Sequence, residues 1–279
     1  DVVCRELHID ASKPNLAEWK QMVDRIHNRS EEVHIGLVGK YVKLHDAYLS
    51  VAEAMDHAGY ELNTFVKINW IDSEHITKEN VNDILKGMDG IIIPGGFGNR
   101  GVEGMILSAK YARENQIPYF GICLGMQIAV IEFARDVMKI SDAHSGEFDE
   151  QCSHKVIDFM PDQNERRDKG GTLRLGSYPC SVKAGTKIEK CYGDKLIYER
   201  HRHRYEFNNE YREPLVKAGL VISGTSPDNR LVETIELKEH PFFVGVQFHP
   251  EFKSRPNQSH PLFKEFIRTA LKKARQKEE

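Results

Sequence analysis

Between residues 90 and 135 the sequence sets out an apolar strand, a glycine-rich loop, a helix, a second apolar strand and, with only Cys123 intervening, another helix. The strands, Gly90-Ile91-Ile92-Ile93-Pro94 and Pro118-Tyr119-Phe120-Gly121-Ile122, lack polar alternation, so neither face is expected to meet water. The helices fall over 103–114 and 124–135. The same rhythm starts earlier, with strands over 33–38 and 65–71 and a helix over 47–58 that Gly59 stops. Strands separated by helices pair in parallel through right-handed crossovers. The expected class is therefore α/β, with a mostly parallel central sheet covered on both faces.

Beyond about residue 153 the texture changes. Segments near 172–183, 196–207, 219–224, 231–237 and 242–248 read as strands joined by short turns, and Ser226-Pro227-Asp228-Asn229 is one such turn. This half is expected to add antiparallel strands, with one strand returning to the main sheet. An amphipathic helix with a basic tail closes the chain over 263–277. At the other end, residues 1–14 lack periodicity. Asn15 then reads as a helix cap with Glu18 three residues on, and Leu16, Trp19, Met22, Val23 and Ile26 recur at helical spacing. Residues 1–30 are read as a linker from a neighbouring domain and 31–275 as the main domain. Because the first residue is Asp1, the chain is expected to be part of a longer one.

Composition excludes several classes. With 40% hydrophobic and 29% charged residues among 279, the chain is ordinary for a globular protein. A net charge of -3 offers no field for nucleic acid or an anionic membrane. No stretch approaches the roughly 20 apolar residues of a membrane span. Cys4, Cys123, Cys152, Cys180 and Cys191 are odd in number and scattered, with no C-x-x-C pair. They make neither a disulfide framework nor a zinc site, and suit a reducing cytoplasm.

One of these cysteines stands apart. In Gly121-Ile122-Cys123-Leu124-Gly125-Met126-Gln127 a buried strand turns at once into a helix. This is the cysteine counterpart of the Gly-x-Ser-x-Gly nucleophile elbow. A turn so sharp leaves no room for side chains at Gly121 or Gly125, and it holds Cys123 in a strained conformation. The unpaired N–H groups of the following helix favour thiolate over thiol, and the N–H of Leu124 points towards a developing oxyanion. A lone cysteine at a strand end is usually just a small buried hydrophobe; the flanking glycines and helix make that the weaker reading here.

A thiolate nucleophile needs a base, and the base needs an orienting group. In Val244-Gly245-Val246-Gln247-Phe248-His249-Pro250-Glu251 an apolar strand delivers His249. Pro250 keeps His249 extended, and Glu251, two residues on, is placed on the same face. Glu251 can then orient the imidazole and stabilise its charged form. Taken alone, a strand-end histidine is more often a surface residue. A second glycine loop, Pro94-Gly95-Gly96-Phe97-Gly98, ends the third strand on the side where parallel sheets bind ligands. Gly95 or Gly96 could supply the other oxyanion donor, though by itself the loop reads first as a tight turn.

Taken together, the three segments resemble the class I, or triad-type, glutamine amidotransferases, over roughly residues 33–270. The resemblance implies a flavodoxin-like three-layer sandwich. It implies that Cys123 attacks the side-chain amide of L-glutamine and releases ammonia, that His249 moves protons, that Glu251 orients His249, and that water then hydrolyses a glutamyl thioester. Gly95, Gly96, Phe97, Leu124, Gln127, Glu147, Arg204 and Tyr205 are implied to form the glutamine site and oxyanion hole. Arg204 suits the α-carboxylate, and Glu147 the α-ammonium.

Further segments are similar to the CTP synthase branch: Gly39-Lys40-Tyr41, Arg100-Gly101, Gly170-Gly171-Thr172-Leu173-Arg174-Leu175-Gly176, Arg200-His201-Arg202-His203-Arg204-Tyr205-Glu206 and the Trp19-Lys20-Gln21-Met22 helix. That likeness implies a separate synthetase domain, absent here, that uses the ammonia with ATP and Mg²⁺ to aminate UTP. It also implies GTP as allosteric activator and a homotetramer in the full-length enzyme. No cofactor or metal is implied for this domain. The polar stretch 162–171 is expected to act as a lid near the GTP-responsive region.

Two patterns are set aside. Strand alternation over 199–206 puts Arg200, Arg202 and Arg204 on one face and His201, His203 and Tyr205 on the other, so this is not read as a nucleic-acid patch. Gly36-Leu37-Val38-Gly39-Lys40 lacks the spacing of a phosphate-binding loop and reads as a strand end. The rivals that remain are the glutaminase of another amidotransferase, a γ-glutamyl hydrolase or peptidase of the same fold, and a non-catalytic binding module.

Overall fold

The computed structural model describes residues 2–159 and 173–278. Its strands are β1 (Glu31–Gly39), β2 (Thr64–Asp72), β3 (Gly90–Ile93), β4 (Tyr119–Ile122), β5 (Ala143–Ser145), β6 (His154–Phe159), β7 (Arg174–Val182), β8 (Leu196–His203), β9 (Tyr205–Phe207), β10 (Leu220–Thr225), β11 (Val232–Leu237) and β12 (Phe243–Val246). Its helices are α1 (Val2–Glu6), α2 (Ala17–His27), α3 (Leu49–Glu61), α4 (Val81–Leu85), α5 (Val102–Glu114), α6 (Leu124–Glu132), α7 (Lys187–Tyr192), α8 (Arg212–Lys217) and α9 (Pro261–Glu278).

Among the described residues the main sheet has nine strands in the order β2-β1-β3-β4-β12-β11-β10-β7-β8. The run from β2 to β12 is parallel, and the run from β12 to β8 is antiparallel. β12 is the joint: Val246 pairs with Ile122 of β4 on one side and Thr234 of β11 on the other. Where one strand of this half is expected to return to the main sheet, five do, β12, β11, β10, β7 and β8, because the antiparallel strands continue the same ladder from β12. β5, β6 and β9 form a separate small sheet.

Strand periodicity explains the layers. Ile91 and Ile93 point into the core under α5 and α6, while Ile92 points the opposite way, into the core under α3 and α9. All three are fully buried, each stabilising the fold by roughly 1.5–3 kcal/mol. A strand packed on both faces has no polar position to offer, hence its purely apolar sequence.

Several expectations need correction. The strand expected over 196–207 is two strands in two different sheets, broken at Arg204. Arg200 and Arg202 are exposed and His201 and His203 buried, as alternation requires. The break shifts the phase, so Arg204 and Tyr205 are both half-buried and Glu206 points inward. The helix expected over 124–135 ends at Glu132 and continues as a π-turn, Phe133–Val137. Helix α2 begins at Ala17, and Asn15 Oδ1 accepts the Ala17 N–H at 3.1 Å. Glu18 therefore falls inside the first turn and no capping box forms. Met22 is the buried residue of α2, while Trp19 and Val23 are 51% and 42% exposed. The stretch 162–171, expected to be a lid, lies outside the described residues, as do Gly170, Gly171 and Thr172.

Candidate active site

The carboxyl ends of β1, β3, β4 and β12 converge on Cys123. The residue has φ 52° and ψ −99°, a backbone region that costs roughly 1–3 kcal/mol outside glycine. The elbow is enforced from both sides. A methyl group on Gly121 would lie 2.5 Å from the Gly125 backbone, and one on Gly125 would lie 2.1 Å from Ile93 O. The Cys123 N–H donates to Val246 O at 2.7 Å, and Gln127 N–H donates to Cys123 O at 3.3 Å. Strand β12 and helix α6 thus pin the strained residue.

β12 also sends His249 to the thiol. The His249 N–H donates to Arg200 O at 2.7 Å. Its Nδ1 meets Glu251 Oε1 at 2.7 Å, and both side chains are buried. The contact arises differently from the expected extended pairing: Glu251 lies in a 3-10 turn, Pro250–Lys253, that begins just after His249. A Cβ on Gly95 would lie 2.8 Å from His249 Cε1 and 3.6 Å from Cys123 Cβ, so the glycine loop, the imidazole and the thiol meet at one point. Burial pulls the His249 pKa down, but the Cys123 sulfur and the Glu251 carboxylate overcome it and push it up to about 10. Among the described residues, no acceptor takes the N–H of Gly95 or Gly96. Gly96 packs against Leu124, where an added Cβ would lie 3.2 Å from Leu124 Cδ2, and Leu124 opens α6 directly after Cys123.

The other expected site residues gather beside the elbow. Gly96, Phe97, Cys123, Gln127, Glu147, Arg204 and Tyr205 line one recess, together with His203. Glu147 follows β5, and its Oε1 accepts Gly98 N–H at 2.9 Å. Burial raises the Glu147 pKa, opposed by that hydrogen bond and by Lys40 and Arg204. Arg204 occupies the break between β8 and β9, which aims it off the ladder. Gln127 Nε2 donates to Tyr205 O at 3.1 Å and to Gln247 Oε1 at 3.3 Å, so its amide braces the recess wall. The recess is narrow, about 20 Å³. A wider cavity of about 320 Å³ also reaches Cys123, between Tyr41, Tyr48, Phe97 and Phe252, and it carries opposed charges of its own in Asp46 and Arg202.

Two contributors were missed in the sequence. Gln247 is fully buried, and its Nε2 donates to Cys123 Sγ at 3.6 Å. Its signal was a lone amide inside an apolar strand end. Lys40, read as part of a strand end, is 3% exposed and reaches the glycine loop. Its signal was a lysine directly after a buried strand. Among the described residues, no cluster of His, Cys, Asp or Glu could hold a metal ion, and no helix is long and apolar enough to cross a membrane.

The strand order, the elbow and the Cys-His-Glu constellation define a cysteine amidotransferase fold. Residues 43–269 match the class-I glutamine amidotransferase family, and the chain belongs to it. Within that family it is similar to CTP synthases. It is 61% identical over 272 residues to the CTP synthase of Carboxydothermus hydrogenoformans, covering 98% of this chain and 51% of that one. It is 58% identical over 271 residues to that of Clostridium kluyveri, covering 97% and 50%. The chain thus spans about half the length of these relatives. The glutaminase domain of Trypanosoma brucei CTPS, solved with bound acivicin, superposes with a TM-score of 0.82 at 40% identity, over 86% of this chain and 94% of that one.

Proposed function

We propose that this chain hydrolyses L-glutamine to glutamate and ammonia through Cys123, His249 and Glu251. The observation that carries the reading is the buried 2.7 Å His249–Glu251 contact beside a nucleophile elbow whose recess bears Arg204 and Glu147. The raised His249 pKa suits an imidazolium–thiolate pair. The thiolate adds to the amide carbon, and the negative charge moves to oxygen, where the N–H groups of Leu124 and the glycine loop receive it. His249 gives its proton to the leaving nitrogen, and ammonia departs as the glutamyl thioester forms. His249 then takes a proton from water, whose oxygen attacks the thioester and returns the thiolate. Arg204 holds the α-carboxylate and Glu147 the α-ammonium. The narrow recess widens as the amino acid enters.

Residues 31–275 form the amidotransferase domain, and 1–30 lead from a synthetase domain. In the full-length protein the ammonia goes to that domain for amination of UTP to CTP. ATP and Mg²⁺ act there, GTP activates the glutaminase, and the assembly is a cytoplasmic homotetramer. Because Arg204 and Glu147 read both charges of a free amino acid, they favour this reading over a peptidase. The test is intact-protein mass spectrometry after 6-diazo-5-oxo-norleucine, with glutamine as competitor. One adduct on Cys123, slowed by glutamine and absent in Cys123→Ala, is expected. Adducts scattered over Cys4, Cys152, Cys180 and Cys191, or insensitive to glutamine, would overturn it.

A further inference from the structure

Lys40 directly follows β1, the strand beside β3, whose own end becomes the glycine loop. Its backbone is fixed at both groups: the N–H donates to Tyr48 Oη at 3.2 Å, and the carbonyl accepts from Arg100 at 2.8 Å. Gly39 lets Tyr48 approach, since a Cβ there would lie 2.7 Å from its hydroxyl. The side chain runs beneath Gly96, where an added Cβ would lie 3.5 Å from Lys40 Cε. Its Nζ donates to Phe97 O at 3.1 Å and to Gly98 O. On the opposite side of the loop, Glu147 takes the Gly98 N–H.

We propose that Lys40 is a positioning residue for the oxyanion hole, fixing the carbonyls of Phe97 and Gly98 so that the N–H groups of Gly95 and Gly96 face the thiol. The inference rests on the glutaminase reading above. A peptide unit has its N–H and C=O on opposite edges of one plane. The two carbonyls share their planes with the N–H groups of Gly98 and Asn99, so Lys40, with Glu147 on the Gly98 N–H, anchors the downstream end of the loop. β3 anchors the other end at Ile93, which leaves Gly95 and Gly96 in a short span held on both sides. Preorganised donors of this kind act on the transition state more than on bound substrate. Burial lowers the Lys40 pKa to about 8, opposed by Glu147 and reinforced by Arg100, so the ammonium persists at neutral pH. Lys40 touches no reacting atom, which separates its role from those of Cys123 and His249.

Two reactions of Cys123 separate this role from a merely structural one. Glutamine hydrolysis needs the oxyanion hole. Alkylation by iodoacetamide forms the C–S bond and expels iodide without an oxyanion, so it reads only the thiolate and the elbow. In Lys40→Met, kcat for glutamine is expected to fall roughly 30-fold or more with KM within about threefold, while the iodoacetamide rate at Cys123 stays within about twofold. Lys40→Gln, polar but too short to reach both carbonyls, is expected to behave alike and carries the test if Lys40→Met does not fold. A folded variant with kcat within threefold of wild type overturns the proposal, as does an iodoacetamide rate that falls in step with kcat. A wild-type chain that hydrolyses no glutamine takes down the glutaminase reading first, and this inference with it.

Discussion

The parallel and antiparallel halves of the main sheet bury different chemistry. In the parallel half the buried strand side chains carry no charge: Val33, Ile35 and Leu37 of β1, Thr64 of β2, Ile91–Ile93 of β3, Phe120 and Ile122 of β4. In the antiparallel half Arg174, Glu199, His201, His203 and Glu233 are all buried, and Glu206 of β9, in the small sheet, is buried beside them. Arg174 pairs with Glu233 at 2.7 Å and stands 3.7 Å from Glu206, and His201 and His203 share a 2.9 Å hydrogen bond. Burial pulls the His203 pKa down to about 3, so that the ring is neutral near pH 7, and pushes Glu233 up to about 7, so that its carboxyl is about half protonated there. Such a cluster gives less stability than apolar packing of equal volume. It sits where β8 breaks and Arg204 turns towards the recess. On the proposed glutaminase reading, the dry half presents the nucleophile and base, and the polar half shapes recognition.

Substitutions can break or sharpen that division. The largest effect is expected from His249→Asn in the dry half, with a loss in kcat of about 10³-fold or more and little change in KM. Arg204→Lys in the polar half is expected to raise KM about 10-fold or more and leave kcat within a fewfold, because an ammonium cannot reproduce a bidentate grip on a carboxylate. Steady-state glutaminase kinetics check both. If Arg204→Lys acts chiefly on kcat, recognition and chemistry are not divided in this way.

The smallest effect concerns stability against pH. The folded His249 pKa lies above the ordinary value of 6.5, at about 10. Its stabilising contribution is therefore complete below about pH 6.5 and fades as pH rises towards 10. Thermal melts of wild type should drop between pH 7 and 9.5 by a few degrees more than those of Glu251→Gln, which removes one source of the shift. Parallel curves would mean that Glu251 orients the ring without stabilising its charge.

This division also tracks what the sequence revealed. Cys123, His249 and the Pro94–Gly98 turn were legible because buried strands have a plain signature and each strand end points to the same edge of the sheet. Glu147 and Arg204 entered through resemblance alone, since nothing in the local pattern marks a half-buried charge as a ligand. The break at Arg204 was missed because Leu196 to Phe207 reads as one alternating strand, and only long-range pairing assigns Tyr205 to β6. Strands β5 and β6 and helices α4, α7 and α8 were missed because each is too short to show a period. Lys40 and Gln247 were invisible as contributors because their partners lie 57 and 124 residues away.

The place of β12 bears on how the protein is made. It lies between β4 and β11, yet among the described residues it is the last strand in chain order. During synthesis Cys123 leaves the ribosome 126 residues before His249, and until β12 arrives β4 has an open edge. The strand that closes that edge also carries the base. Closing the sheet and bringing the imidazole to the thiol are therefore one event, and a molecule without β12 holds its cysteine with no imidazole beside it.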